Sequence, residues 1–211
     1  MSIAGAGLTP RQEAVAGLVL AGGRARRMNG IDKGLIEIAG RPMIDYVLDR
    51  LRPQVGQVLI NANRNPEIYN SYGHPVVADA LDGFLGPLAG VSSALRRLEC
   101  PFLVTVPCDA PLLPGNLAVR MLETLVAERA DVAVAHDGQR LQPGFLLLRK
   151  GLAQGLERYL AGGGRKIDTW LHAQRLATVD FSEHSHSFIN VNDPVQLRDL
   201  EARLLSESGA L

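Results

Sequence analysis

The run Val15-Ala16-Gly17-Leu18-Val19-Leu20 carries no polar side chain and stops at the glycine pair Gly22-Gly23. A strand apolar on both faces has to be covered on both faces, the condition of a parallel strand inside an α/β sheet. The rest of the chain repeats that theme. Met43 to Leu51 places Met43, Ile44, Val47, Leu48 and Leu51 at helical spacing after Pro42, and Pro53 ends the pattern. Gln57 to Asn61 and Pro75 to Ala78 read as short strands, with room for a short helix in the polar stretch Asn63 to Ser71. Leu88 to Leu98 is helical in spacing, Phe102 to Val106 is a second apolar strand, and Pro114 to Ala127 is again amphipathic. Such alternation predicts right-handed βαβ units in a mostly parallel sheet with helices on both faces, and it directs ligands to the carboxyl ends of the strands.

Beyond residue 130 the pattern loosens. Val132 to Ala135 and Phe145 to Leu148 read as strands around a polar loop, His136 to Gln142, so this half is expected to include antiparallel pairing. Helices over Leu152 to Leu160 and Ile167 to Ala173 flank Gly162-Gly163-Gly164, and an amphipathic helix over Pro194 to Leu205 closes the chain. At 211 residues, one α/β domain is expected, with a nucleotide-binding half over about 15–110 and an acceptor-binding half over about 111–205.

Lys plus Arg equals Asp plus Glu at 22 each, so no global basic field draws nucleic acid and any anion site must be local. Two cysteines, Cys100 and Cys108, are too few for a disulfide scaffold or a four-ligand zinc site, and a reducing cytoplasm fits them best. The opening residues lack a continuous apolar signal region, and no run approaches the roughly 20 apolar residues of a membrane helix. A soluble, unexported protein that touches no membrane is expected.

Four constellations carry chemistry. Directly after the first strand, Leu20-Ala21-Gly22-Gly23-Arg24-Ala25-Arg26-Arg27-Met28-Asn29-Gly30-Ile31-Asp32-Lys33 sets glycines among four cations. Glycine lets backbone amides approach phosphate oxygens, and Arg24, Arg26, Arg27 and Lys33 can neutralise a triphosphate. The segment lacks both the Walker A ending and the GxGxxG spacing, which weighs against P-loop kinases and dinucleotide-binding dehydrogenases. A glycine pair alone would read as a tight turn; the four cations turn the reading toward a phosphate cradle. Next, Pro107-Cys108-Asp109-Ala110-Pro111 puts Asp109 at a strand's carboxyl end, where a hard oxygen ligand can hold Mg²⁺, although an aspartate between prolines is equally a turn residue. Cys108 reads as packing rather than chemistry.

Asp79 then ends a strand ahead of Gly86-Pro87-Leu88-Ala89-Gly90, a small-residue loop opening a helix. Guanine offers N1 and N2 donors, so a carboxylate such as that of Asp79, or a backbone carbonyl, is a natural acceptor, with Asn61 at another strand end to supplement it; a loop cap and a simple helix start account for the same residues. Finally, Arg165 and Lys166 after the glycine run, and Asn190 and Asn192 in Phe188-Ile189-Asn190-Val191-Asn192-Asp193, could meet a phosphorylated acceptor. The competing readings there are a flexible linker and a helix N-cap. His184 and His186 lack a third partner and read as an exposed loop.

Taken in order, LAGG, RM, DK, GPLAG, PCD and a late NVN make the chain resemble the molybdenum cofactor guanylyltransferases from about Val15 to the last helix. The resemblance implies a Rossmann-like nucleotidyltransferase domain that uses GTP and magnesium, with manganese as an alternative. It implies molybdenum-bearing molybdopterin as the acceptor, and a guanine dinucleotide cofactor and pyrophosphate as products. The family's nucleotide contacts fall on Leu20, Ala21, Gly22, Lys33, Asn61, Asp79 and Asp109, with Asp109 also holding the metal; Gly23, Arg24, Gly86 and Pro87 complete the expected nucleotide site. Two departures stand out. Asn29 replaces the usual glycine after the methionine, and Asn190 stands where related sugar-nucleotide enzymes place a second acidic residue.

The expected catalytic set is Lys33, Asp109 and Arg27, and no side-chain base is required because a phosphate nucleophile is already ionised. A monomer is expected, with transient contacts to molybdopterin-synthesis proteins or molybdoenzyme chaperones as the partner class. Three rival readings use the same residues: a cytidylyltransferase on the same pterin, for which LAAG would be more usual than LAGG; a sugar-1-phosphate nucleotidyltransferase; and a non-catalytic carrier of the finished cofactor.

Overall fold

The computed structural model describes residues 9–22, 32–80, 86–189, 196–198 and 200–201. Its core is a seven-stranded sheet. The strands are β1 (Val15–Leu20), β4 (Gln57–Asn61), β5 (Val76–Val77), β6 (Phe102–Pro107), β7 (Val132–His136), β8 (Leu141–Arg149) and β9 (Leu176–Asp180). A separate two-stranded hairpin joins β2 (Glu37–Ile38) to β3 (Arg41–Pro42). In space the sheet runs β5-β4-β1-β6-β8-β7-β9. β1 pairs in parallel with β4 and β6, β4 with β5, and β7 with β9, while β8 is antiparallel to both β6 and β7. The sheet is mostly parallel, as expected, and the antiparallel element sits where the sequence pattern loosened.

The helices are α1 (Pro10–Glu13), α2 (Met43–Leu51), α3 (Pro66–Asn70), α4 (Pro87–Arg97), α5 (Leu117–Ala127), α6 (Ala153–Ala161) and α7 (Ile167–His172). Two apolar layers fill the space above and below the sheet. On one face Val15, Val19, Val104 and Val106 pack with Ile44, Val47, Leu48 and Leu51 of α2 and with Met121 and Leu125 of α5. On the other, Ala16, Leu18, Leu103 and Leu146 meet Leu88, Val91 and Leu95 of α4, Leu156 and Leu160 of α6, and Trp170 of α7. Odd and even residues of β1 therefore serve opposite layers, which is why the strand had to be apolar throughout. Gly17 has a packing reason as well: a Cβ there would stand 2.8 Å from Leu51 Cδ2, so the glycine gives the Leu51 side chain of α2 room against β1.

Several expected boundaries shift. The strand expected over Pro75 to Ala78 shrinks to Val76–Val77, leaving Asp79 two residues beyond it. The polar loop expected over His136 to Gln142 is shorter, because Leu141 and Gln142 already belong to β8. β9 was not anticipated. Its burial alternates between half-buried or exposed and buried, and among the described residues it pairs only with β7, so it carries the weaker apolar signal of an edge strand. The hairpin of β2 and β3 was also missed, its strands being only two residues each. His184 and His186 lie in a 3-10 segment (Ser182–Phe188), their rings 6.4 Å apart. Of the closing helix expected over Pro194 to Leu205, the described residues are helical, and Leu200 packs against Ile38, Met43 and Leu112.

Candidate functional site

The strand order places β1 between β4, which the chain reaches next, and β6, which it reaches only after β5. The crevice between β1 and β6 is thus the topological switch point of the sheet, where open α/β sheets bind ligands at their carboxyl ends. Hydrogen bonds extend the ladder just past the strand ends there. The Ala21 N–H donates to Asn61 O at 2.8 Å and the Cys108 N–H to Leu20 O at 3.2 Å. Leu20, Ala21 and Gly22 are therefore fixed at the mouth of the crevice, with Asn61 on one side and Asp109 on the other.

Lys33 and Asp109 meet at this mouth, though 76 residues separate them. Lys33 Nζ donates to Asp109 Oδ2 at 2.9 Å, with the side chains 22% and 13% exposed. Each is sheltered, yet each keeps solvent access that a ligand could take over. Lys33 opens a 3-10 turn (Lys33–Leu35) whose N-cap is Asp32. Asp32 is 7% exposed. Its carboxylate accepts from Tyr69 Oη at 2.6 Å, Asn65 Nδ2 at 3.2 Å and the Gly34 N–H at 3.3 Å. Burial first, and then that hydrogen bond, holds the Tyr69 phenol protonated well above the usual tyrosine range. Asp32 was visible in sequence as one residue of the cationic loop and of the DK pair; its role as the cap anchoring the lysine turn needed α3, which supplies Tyr69, to be placed.

Across β4 a second cluster forms. Asn61 is 3% exposed, and its Nδ2 donates to Val77 O and to Asp79 Oδ1, each at 2.9 Å. Asn63, which the sequence reading did not single out, takes the other carboxylate oxygen, donating from Nδ2 to Asp79 Oδ2 at 2.8 Å. α4 starts beside this cluster. Gly86 has φ +84°, open to glycine at little cost, and Pro87 sits in the first turn. A Cβ on Gly90 would stand 2.2 Å from Asn61 Oδ1, and the Ala80 N–H donates to Ser93 Oγ at 2.8 Å. The small residues of GPLAG thus let the first turn of α4 press against the Asn61 amide.

The turn after α6 comes near the start of α4: Arg165 O lies 4.0 Å from the position a Gly86 Cβ would take. Arg165 and Lys166 are exposed. The Arg165 guanidinium donates to Leu160 O and Gly164 O, at 2.7 and 2.6 Å, and Tyr159 Oη donates to Lys166 O at 2.9 Å. The turn is therefore an ordered structure tied to its own helix rather than a linker. Cys108 is 6% exposed in the apolar layer, and burial raises its thiol well above the ordinary range. Gly23, Arg24, Arg26, Arg27, Asn29, Asn190 and Asn192 lie outside the described residues.

Among the described residues no three His, Cys, Asp or Glu side chains gather as a metal cluster. Asp109 offers a hard carboxylate beside a cation. That donor set fits magnesium, which takes one or two carboxylates and completes its shell with water and substrate phosphates, and does not fit a protein-enclosed zinc site.

A family model described as the MobA-like NTP transferase domain matches residues 17–178. The chain is 47% identical to the molybdenum cofactor guanylyltransferase of Shewanella loihica over 193 residues, 92% of this chain and 97% of that one. It is 48% identical to the enzyme of the same name from Shewanella sediminis over 183 residues, 87% and 93% of the two chains. Among solved structures, molybdopterin-guanine dinucleotide biosynthesis protein A from Archaeoglobus fulgidus has the same fold, with a TM-score of 0.78 at 22% identity over 90% of this chain and 99% of that one.

Proposed function

Because the chain belongs to the molybdenum cofactor guanylyltransferases, its reaction is the transfer of GMP from GTP to molybdopterin, and we propose that the loops following β1, β4, β5 and β6 form the site of that transfer. The observation that carries the assignment is the sheltered Lys33–Asp109 pair at the switch point, one strand away from the Asn61–Asp79 pair. In this reading the triphosphate lies over Leu20, Ala21 and Gly22, with Gly23, Arg24 and Arg27 of the same loop completing its cradle. The guanine edge faces Asp79 and Asn61 beside Gly86 and Pro87. The acceptor enters over Arg165, Lys166, Asn190 and Asn192. Residues 15–110 then bind nucleotide, and residues 111–205 bind acceptor.

The acceptor's terminal phosphate attacks the α-phosphorus of GTP, a new P–O bond forms, and the α–β phosphoanhydride breaks to release pyrophosphate. Lys33 stabilises charge growing on the α-phosphate, and the arginines hold the departing β and γ phosphates. Positioning and electrostatic stabilisation carry the rate, since the nucleophile is already an anion. Asp109 would hold magnesium, or manganese in its place, and the cation would there neutralise phosphate oxygens. Lys33, bonded to the same carboxylate, would keep that oxygen oriented until nucleotide arrives.

The proposed setting is the cytoplasm, with the protein acting as a monomer that meets molybdopterin-synthesis proteins or molybdoenzyme chaperones transiently. Both cysteines are unpaired thiols, in keeping with a reducing compartment. No described helix is long and apolar enough to cross a membrane.

The test is pyrophosphate release by the purified protein with Mg²⁺ and molybdenum-loaded molybdopterin, run in parallel with GTP, CTP and ATP. GTP-selective release is the expected result. Release with CTP alone would transfer the assignment to a cytidylyl enzyme, and binding without release from any triphosphate would make the chain a carrier.

A further inference from the structure

Asn63 stands two residues beyond the end of β4, half-buried, and makes a reciprocal pair of contacts with one residue. Its Nδ2 donates to Asp79 Oδ2 and its Oδ1 accepts from the Asp79 N–H, both at 2.8 Å. A carboxylate can only accept and an N–H can only donate, so these two partners fix which way the amide points. Asn61 holds the other carboxylate oxygen at 2.9 Å. Both Asp79 oxygens are thereby pinned, and since each carboxylate oxygen can accept from about two donors, each retains capacity for one more.

Guanine presents N1–H and the 2-amino group as two adjacent, near-parallel donors on one edge. A carboxylate free to turn about its own bonds meets one of them at a time; one held in a fixed plane can accept from both. From the two-sided clamp we infer that Asn63 is a positioning residue for base selection, holding Asp79 at the torsion that accepts from both guanine donors. This rests on the reading of Asp79 as the base acceptor given above. Gly22 supplies an independent reason for the amide's placement. A Cβ on Gly22 would stand 2.9 Å from Asn63 Nδ2 and 2.8 Å from Asn61 Oδ1, so the phosphate loop's backbone lies directly against the pair that orients the carboxylate. Loss of Asn63 would release Asp79 on one side while leaving Lys33 and Asp109, on the far side of β1, in place.

The distinguishing substrate is inosine triphosphate, which keeps the N1–H and lacks the 2-amino group. kcat/KM for GTP and for inosine triphosphate would be measured on the unaltered protein, on Asn63→Ala, on Asn63→Ser as a second variant too short to bridge both Asp79 atoms, and on Asp79→Asn. The expected result for either Asn63 variant is a loss of about tenfold or more with GTP and less than about threefold with inosine triphosphate, the size expected when one hydrogen bond to a charged group is lost. The preference for GTP then collapses, chiefly through KM. An equal fall for both nucleotides, or no fall for either, in whichever Asn63 variant folds, overturns the inference. Asp79→Asn separates the two layers: if it leaves the preference intact, the base reading itself fails, whereas if it abolishes the preference and the Asn63 variants do not, only the role of Asn63 is lost.

Discussion

At the scale of single residues, the ion pair between Lys33 and Asp109 differs from an ornamental surface salt bridge in being sheltered and lying at the carboxyl edge of the central strands. Exposed pairs contribute little to stability, whereas sheltered groups aimed at developing charge carry large rate effects. Lys33→Ala and Asp109→Asn are each expected to lower kcat by about 10²-fold or more in protein that urea unfolding shows to be still folded. Full turnover of Asp109→Asn with magnesium would remove the assignment. Cys108 makes a contrasting case beside the same aspartate. Its raised thiol pKa comes first from burial and then from the charges of Asp109 and Asp32, so it stays protonated and inaccessible in the folded protein. A thiol-specific reagent at pH 8 should modify half-exposed Cys100 quickly and Cys108 only after urea is added. Equal rates in the native protein would show that the layer around Cys108 opens readily.

At the scale of elements, the start of α4 reveals how a motif can be read correctly and still be explained incompletely. GPLAG in sequence looks like a helix start made of small residues. In the fold, Gly86 supplies a positive φ and Gly90 supplies clearance for Asn61. Gly90 lies inside the helix, where replacing glycine with alanine ordinarily stabilises by about 1 kcal/mol. Here the added Cβ would fall 2.2 Å from Asn61 Oδ1, inside van der Waals contact, and Asn61 is held by Val77 and Asp79. Gly90→Ala is therefore expected to reverse sign and destabilise by about 1–3 kcal/mol, the usual range for overpacking, while weakening GTP binding. Urea unfolding together with nucleotide titration checks both; a more stable variant with unchanged affinity would mean that Asn61 has room to move. The turn Gly162 to Lys166, proposed to meet the acceptor, is held to α6 by the Arg165 and Tyr159 hydrogen bonds.

At the scale of the whole molecule, the two halves proposed for nucleotide and acceptor share one sheet and both apolar layers. β8 inserts beside β6, and α6 packs with α4 over the same face. The last described residues reach the β2–β3 region as well, where Leu200, 7% exposed, packs with Ile38, Met43 and Leu112, and Glu201 Oε1 accepts from the Ala39 N–H at 2.9 Å. This contact secures the β2–β3 hairpin, which leads from the lysine turn into α2. Leu200→Ala should cost about 2 kcal/mol or more in unfolding free energy, as for other buried leucines. Hydrogen exchange should quicken at Ile38 and Met43 while β1 and β6 stay protected; a variant with unchanged exchange at the hairpin would show that the seating is not structural.

The sequence by itself determined the two-sided burial of β1, the alternation that makes an α/β sheet, and the positions of the glycine, GPLAG and PCD segments at element boundaries. These are local consequences of side-chain period and of glycine and proline backbone preferences, so a window of a few residues contains them. It left β9 unread, because a half-exposed edge strand need not be apolar on both faces, and it left the hairpin unread because two residues cannot display a period. Only the tertiary structure decided the strand order, the insertion of reversed β8, the meeting of Lys33 with Asp109, and the closure of Asn61 and Asn63 on Asp79. Each depends on which strands pair across long stretches of chain and on how closely helices settle on them. Those choices are made by the packing of both layers at once, and no local pattern encodes them.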